Sequence, residues 1–268
     1  MRTTLLTPCL LIAAAASACE NPFGYSYLAE TLKPGKFEFE QYVTGRFGKD
    51  LGAGYEAGYR AFDLRTEMEF GLSPTEQIAV EVNQSYFDSS ARQGLRFDGI
   101  NVEYIKMLAN PDKEDWGRAI YLEAGYSQIS KHDGHLRDRW ILESKYILQH
   151  NFGADSRWLY VANLGLELMH TQGGEDAFEV FATQGLSYQL TKDWTVGVES
   201  LVAAEWIEGG DFEESGVFVG PCLNYRKDNL SVALTVLAQL TGAPANKGSL
   251  NVSEYSPYEA RLKVSWEF

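Results

Sequence analysis

From Lys36 to its last residue the chain alternates. Phe37, Phe39 and Val43 stand on one parity, and Glu38, Glu40 and Thr44 on the other. Successive side chains of an extended chain point to opposite faces, so this stretch predicts a ribbon apolar on one side and charged on the other. The pattern recurs. Phe62, Leu64, Met68, Phe70 and Leu72 oppose Asp63, Arg65, Glu67 and Glu69; Ile78, Val80 and Val82 oppose Glu81 and Asn83; Ile100, Val102 and Tyr104 oppose Asn101 and Glu103. Ile120, Leu122 and Tyr126 oppose Tyr121 and Glu123, while Trp140, Leu142 and Tyr146 oppose Glu143, Lys145 and Gln149. Trp158, Leu164 and Leu168 oppose Asn163 and Glu167, and Val180 and Leu186 oppose Glu179 and Thr183. Trp194, Val198 and Trp206 oppose Glu199 and Glu205. Stretches at Val217–Tyr225 and Leu230–Val236, then Pro257–Phe268, complete the series.

This predicts about twelve strands, an even number with both ends on one side, as a closed antiparallel transmembrane β-barrel requires. Turns after even-numbered strands are short (Ser73–Glu76, Thr191–Asp193, Lys227–Asp228), apart from Asn110–Gly117. Connections after odd-numbered strands are longer and polar: 88–96, 131–137, 208–215 and 242–256. Short periplasmic turns and longer extracellular loops are the asymmetry of such barrels. Gln184 and Ser200 break the rule by falling on the apolar parity, and Pro221 is expected to mark a bulge or strand end.

Composition fits this picture. Aromatic residues make up 13% of the chain and charged residues 22%, as expected where only every second strand residue meets lipid. The net charge of −14 argues against a nucleic-acid partner, which needs a basic face.

The first eighteen residues read as a secretory signal peptide: Arg2, an apolar run from Leu5 to Ala16, and Ala16-Ser17-Ala18 as the cleavage site. Cleavage there leaves Cys19 first, either as a lipidation site or simply as the first mature residue. Residues 19–35 have no clean period, and either follow the periplasmic rim or fold back into the lumen as a partial plug. The barrel is assigned to residues 36–268.

The final stretch carries its own signal. Trp266 and the terminal Phe268 share the apolar parity, preceded by Arg261, an ending that resembles the signal read by the outer-membrane barrel-assembly machinery. That signal usually has Gly where this chain has Lys263. In addition, the segments ETLKPGKFEFEQ (30–41), RTEMEFGL (65–72), LESKYILQHNF (142–152) and FVGPCLNY (218–225) resemble those of a family of uncharacterised bacterial outer-membrane β-barrels. The resemblance implies a fold and a location in the outer membrane, in contact with its lipid and lipopolysaccharide. It implies no activity.

Candidate chemistry lies on the inward parity. Glu38, Glu40, Asp63, Arg65, Glu67, Glu69 and Glu81 come from the first three strands. Glu103, Glu123, Glu143, Lys145, Glu167, Glu179 and Glu199 come from the next six, and Arg261 and Lys263 from the last. Because the last strand must pair with the first, Arg261 and Lys263 are expected near Glu38 and Glu40. Two readings stand: a water-filled pore for small cationic or neutral solutes, since lumen charges tune selectivity, or an ion-paired network closing a narrow barrel. A third, a lipid-acting enzyme, needs a Ser beside a His at the lipid boundary, and none of His132, His135, His150 and His170 stands in a His-x-Ser arrangement. Hence no catalytic residue is assigned. The His132–His135 pair offers too few ligands for a metal site, so neither metal nor cofactor is expected. The acidic loop residues Glu175 and Asp176 read as solvated surface, and Cys222 as an inward, inert thiol.

Overall fold

The computed structural model describes residues 21–50, 60–88, 93–131 and 134–268. The candidate signal peptide, Cys19 and His132 lie outside these residues. Twelve strands follow one another: β1 (Phe37–Phe47), β2 (Arg60–Ser73), β3 (Glu76–Asp88), β4 (Gln93–Ala109), β5 (Gly117–Ile129) and β6 (Leu136–Phe152) form one half. The other half is β7 (Trp158–Thr171), β8 (Ala177–Gln189), β9 (Trp194–Ile207), β10 (Phe212–Lys227), β11 (Leu230–Ala243) and β12 (Tyr258–Glu267). Every strand pairs antiparallel with its chain neighbours, and β1 pairs with β12, so the sheet is a closed barrel. Closure matters in lipid, which offers no partner to the N–H and C=O groups of an open edge.

The alternation sets the two faces. Leu72, Ile100, Leu142, Leu164 and Val236 are exposed on the outside, whereas Glu67, Tyr121, Ile147 and Val161 are buried inside. Aromatic residues gather at both ends of this apolar belt, as interfacial girdles do. At the end carrying the short turns, Trp116 stacks on His150, His150 on Phe152, and Phe152 on Trp158. There too, Phe268 stacks on Phe37 at 4.5 Å, and its N–H donates to the Phe37 carbonyl. At the other end Phe178 stacks on Trp206, and Trp140 lies against Tyr126.

Three long connections are shorter than the pattern predicts, because β4 begins at Gln93, β6 at Leu136 and β10 at Phe212. These strand ends rise past the apolar belt into water. In β4 and β10 a register shift breaks the period of two: opposite Asn83 and Gln84 of β3, which face Gly99 and Phe97, and between Phe212 and Glu214. The exposed Leu95, Phe97 and Phe212 are thereby out of phase with the strands they extend. Gln184 does face outward, where it accepts a hydrogen bond from the Tyr160 hydroxyl at 3.1 Å.

Pro221 marks neither a bulge nor a strand end. It lies inside β10 opposite Val198 of β9; the register shifts of β10 fall between Phe212 and Glu214 and between Val217 and Phe218, while toward β11 the pairing lapses at Gly220 and Pro221 without a change of register. Next to it, a Cβ added at Gly220 would lie 1.6 Å from the Val236 carbonyl oxygen. Gly220→Ala is therefore expected to cut the yield of folded barrel, read on a gel as loss of the compact species that unfolds on heating. A wild-type yield would contradict this close approach.

Candidate functional site: an acidic lumen with a seated N-terminal segment

Register turns the inward glutamates into a continuous ladder. Glu40 faces Glu67, which on its other side faces Glu81. After a step at Asn101, Glu103 faces Glu123, and the series runs on through Glu143, Glu167, Glu179 and Glu205 to Glu214. Asn101 bridges the step, its side-chain amide donating to Glu81 at 3.0 Å and to Glu123 at 2.6 Å. Glu103 lies toward the short-turn end of β4 and Glu214 at the opposite end of β10, so the ladder climbs as it circles the wall. Like charges directly opposite one another destabilise a sheet. A row of them needs cations, water or shared protons in the lumen.

Protein cations meet part of that demand. Arg65 donates to Glu81 at 2.7 Å, stands 3.5 Å from Glu67 and 3.8 Å from Glu103, and stacks over the Tyr42 ring at 3.8 Å. Lys145 pairs with Glu143 and lies 3.7 Å over the Tyr121 ring. Lys263, opposite Tyr42 in the register, reaches Glu40 at 3.6 Å.

Arg261 departs from expectation. The stagger of β12 puts Ser265 opposite Glu40 and Glu267 opposite Glu38, which leaves Arg261 opposite Thr44. There it donates to the Thr44 hydroxyl and the Gly24 carbonyl, with its guanidinium 3.9 Å over the Tyr25 ring.

Residues 21–32 run inside the barrel rather than along its rim, and 33–35 are exposed where the segment joins β1. Phe23, Ala29 and Leu32 are fully buried. The Glu199 carboxylate accepts three consecutive backbone N–H groups, from Gly24, Tyr25 and Ser26, at 3.0, 2.9 and 2.6 Å. Such a nest of amides suits an anion. Asn163 accepts from the Tyr27 N–H and donates to its carbonyl; Gln149 accepts from Ala29 and Gln77 from Leu32. A Cβ at Gly185 would lie 2.5 Å from the Phe23 ring, so only glycine leaves that ring its berth. Burial pushes the Tyr25 and Tyr27 phenols well up, and raises the Glu30 carboxyl against the lowering effect of its Gln149 hydrogen bond.

Gly35 donates to the Gly71 carbonyl beside the Ser73–Glu76 turn, and Glu199 and Gln149 also lie in the half of the barrel carrying the short turns. The segment thus fills that half. Above it a cavity of about 480 Å³ is lined by Tyr25, Tyr27, Arg65, Glu123, Glu143 and Glu179. Toward the long loops a second, of about 540 Å³, has Arg46, Lys49 and Arg139 together with Glu205, Glu214 and Glu254 in its lining.

All the inward residues singled out from the pattern lie in the lumen wall. Glu38, Glu40, Glu67, Glu69, Glu81, Glu103, Glu123, Lys145, Glu199 and Lys263 are buried; Asp63, Arg65, Glu143, Glu167, Glu179 and Arg261 border the first cavity. Sequence reasoning did not single out Gln77, Gln149 and Asn163, which hold the segment, nor Tyr25, Tyr27 and Tyr42, which carry the cation contacts. Their signal was weak: polar residues of inward parity that any lumen contains. Cys222 is a buried free thiol, and His170 sits at the surface paired with Asp176.

A closed twelve-stranded antiparallel barrel, apolar outside, girdled by aromatics and charged within, is a β-barrel of the outer-membrane type. Solved structures agree. The COG4313 outer membrane channel from Pseudomonas putida F1 superposes with a TM-score of 0.60 at 11% identity, over 90% of this chain and 98% of that one. The NanC porin gives 0.51 at 9% identity, over 85% and 98%. No curated protein matches the chain. The chain belongs to a family of unknown function, DUF6662, whose model matches residues 15–268.

Proposed function

We propose that this barrel is a narrow outer-membrane channel for small cationic or neutral solutes, with residues 21–32 constricting its periplasmic half. The observation that carries the reading is the in-register glutamate ladder from Glu103 to Glu214. An inert filled lumen gains nothing from placing like charges opposite one another on seven successive strands, whereas a cation path gains a continuous row of oxygen donors. The two solved barrels named as a channel and a porin share this fold at low identity, and only the shape carries over. Trp266 and Phe268, exposed at the short-turn end, suit the assembly-machinery signal that this ending resembles.

A second reading is favoured by a specific observation: the Glu199 nest and the amides of Asn163, Gln149 and Gln77 hold the N-terminal segment firmly enough to seal a structural barrel. Planar-bilayer recording of the folded protein separates the two. A constricted channel is expected to give small steps carried mainly by cations. Silence from protein shown to be inserted would favour the sealed barrel.

A further inference from the structure

Two adjacent inward positions on β1 meet two on β2, and all four are glutamate. Glu38 is opposite Glu69, and Glu40 is opposite Glu67. All four are buried. The carboxylates of Glu40, Glu67 and Glu69 each present an oxygen, and these oxygens lie within 4.8 Å of one another.

Two of the three are oriented by neighbours. Glu40 accepts from the Ser265 hydroxyl on one oxygen and from the Tyr42 hydroxyl on the other, with Lys263 at 3.6 Å. Glu69 accepts from the Gln77 amide at 2.7 Å. Glu67 differs: it is fully buried, and neither of its oxygens has a hydrogen-bond partner. Arg65 Nη2 stands 3.5 Å from it, a charge contact without a hydrogen bond, while Nη1 donates to Glu81 at 2.7 Å. Among the described residues, three buried carboxylates thus have only Lys263 and an Arg65 shared with Glu81 and Glu103 to set against them, and nothing donates to Glu67.

We propose that Glu40, Glu67 and Glu69 form a binding site for one hard divalent cation of the calcium or manganese kind. An all-carboxylate donor set selects hard cations over soft ones. Three carboxylates supply up to about six oxygens, within the range such ions take, and a site this buried disfavours magnesium, which sheds its water reluctantly. Ser265, Tyr42 and Gln77 act as the outer partners that aim the ligands. Gln77 also accepts the Leu32 N–H, so a single amide links the cation site to the seated N-terminal segment. Occupancy thereby steadies that segment. The site does not depend on whether the barrel conducts.

The test is manganese binding to the full-length folded barrel after chelator treatment, followed by electron paramagnetic resonance. One immobilised Mn²⁺ per chain is expected, displaced by Ca²⁺. Glu67→Gln and Glu69→Gln, which each remove a ligand, should each weaken binding by more than the about tenfold to hundredfold that losing an outer partner costs, while Glu167→Gln, on the ladder away from the site, should not. No stoichiometric binding by the wild type, or equal weakening in all three variants, would overturn the proposal in favour of diffuse lumen charge. If Glu67→Gln fails to fold, wild-type stoichiometry and Glu69→Gln still decide. A barrel that binds Mn²⁺ but is silent in bilayers sinks the channel reading alone. One that conducts but binds none sinks the cation site alone.

Discussion

Deleting residues 21–32 is expected to raise single-channel conductance markedly, because it empties the filled half of a twelve-stranded lumen. The segment buries Phe23, Ala29 and Leu32 across the short-turn half, below the two cavities, so its removal is expected to open them toward that end. Glu199→Ala should do part of the same work. It removes the acceptor of three backbone N–H groups, and hydrogen bonds to charged groups contribute about 1.5–3 kcal/mol each, not additively. The other seats at Asn163, Gln149 and Gln77 remain, so flicker between low and high conductance is expected rather than a stable open pore. Unchanged conductance in the deletion would show that the segment is not the constriction.

The second large effect is on stability. Arg65 is the cation shared by Glu67, Glu81 and Glu103, each almost fully buried. Arg65→Met keeps most of the side-chain bulk but leaves those carboxylates without their partner. Breaking a buried ionic group in this way costs about 3–5 kcal/mol, and the urea midpoint of unfolding from lipid vesicles should fall accordingly. Lys36→Met is the contrast. Its pair with Glu267 is 3.7 Å long and the lysine is about half exposed, a geometry worth roughly 0–1 kcal/mol. Equal midpoints for the two variants would mean that the Arg65 network contributes no more than a surface pair.

How far the sequence foretold this structure follows from the physics of each part. Strand number, closure and facing were legible because a wall between lipid and water imposes a period of two, and a one-residue slip would invert every face. The extra residues of β4 from Gln93 to Phe97 were not, since a bulge between Phe97 and Gly99 shifts the parity and leaves Leu95 and Phe97 out of phase with Ile100 and Val102. Residue types in the lumen were legible from parity, but their partners depend on stagger between strands, which parity leaves open. That is why Lys263 meets Glu40 as expected while Arg261 meets Thr44 and Gly24 instead. The N-terminal segment was the least readable. It has no period, and its hold on the barrel lies in backbone N–H groups, which every residue but proline carries. Only its partners are distinctive, and Gln77, Gln149 and Asn163 look ordinary until the segment is beside them.

The glutamate ladder remains the feature on which the functional account stands, and ion preference tests it most directly. The measurement is the zero-current potential of the barrel lacking residues 21–32 under a potassium chloride gradient, alone and with Glu123→Gln and Glu143→Gln together. The account predicts a potential on the cation-selective side that moves toward zero when those two carboxylates are neutralised. A potential near zero or on the chloride side, or one that ignores both substitutions, would contradict it.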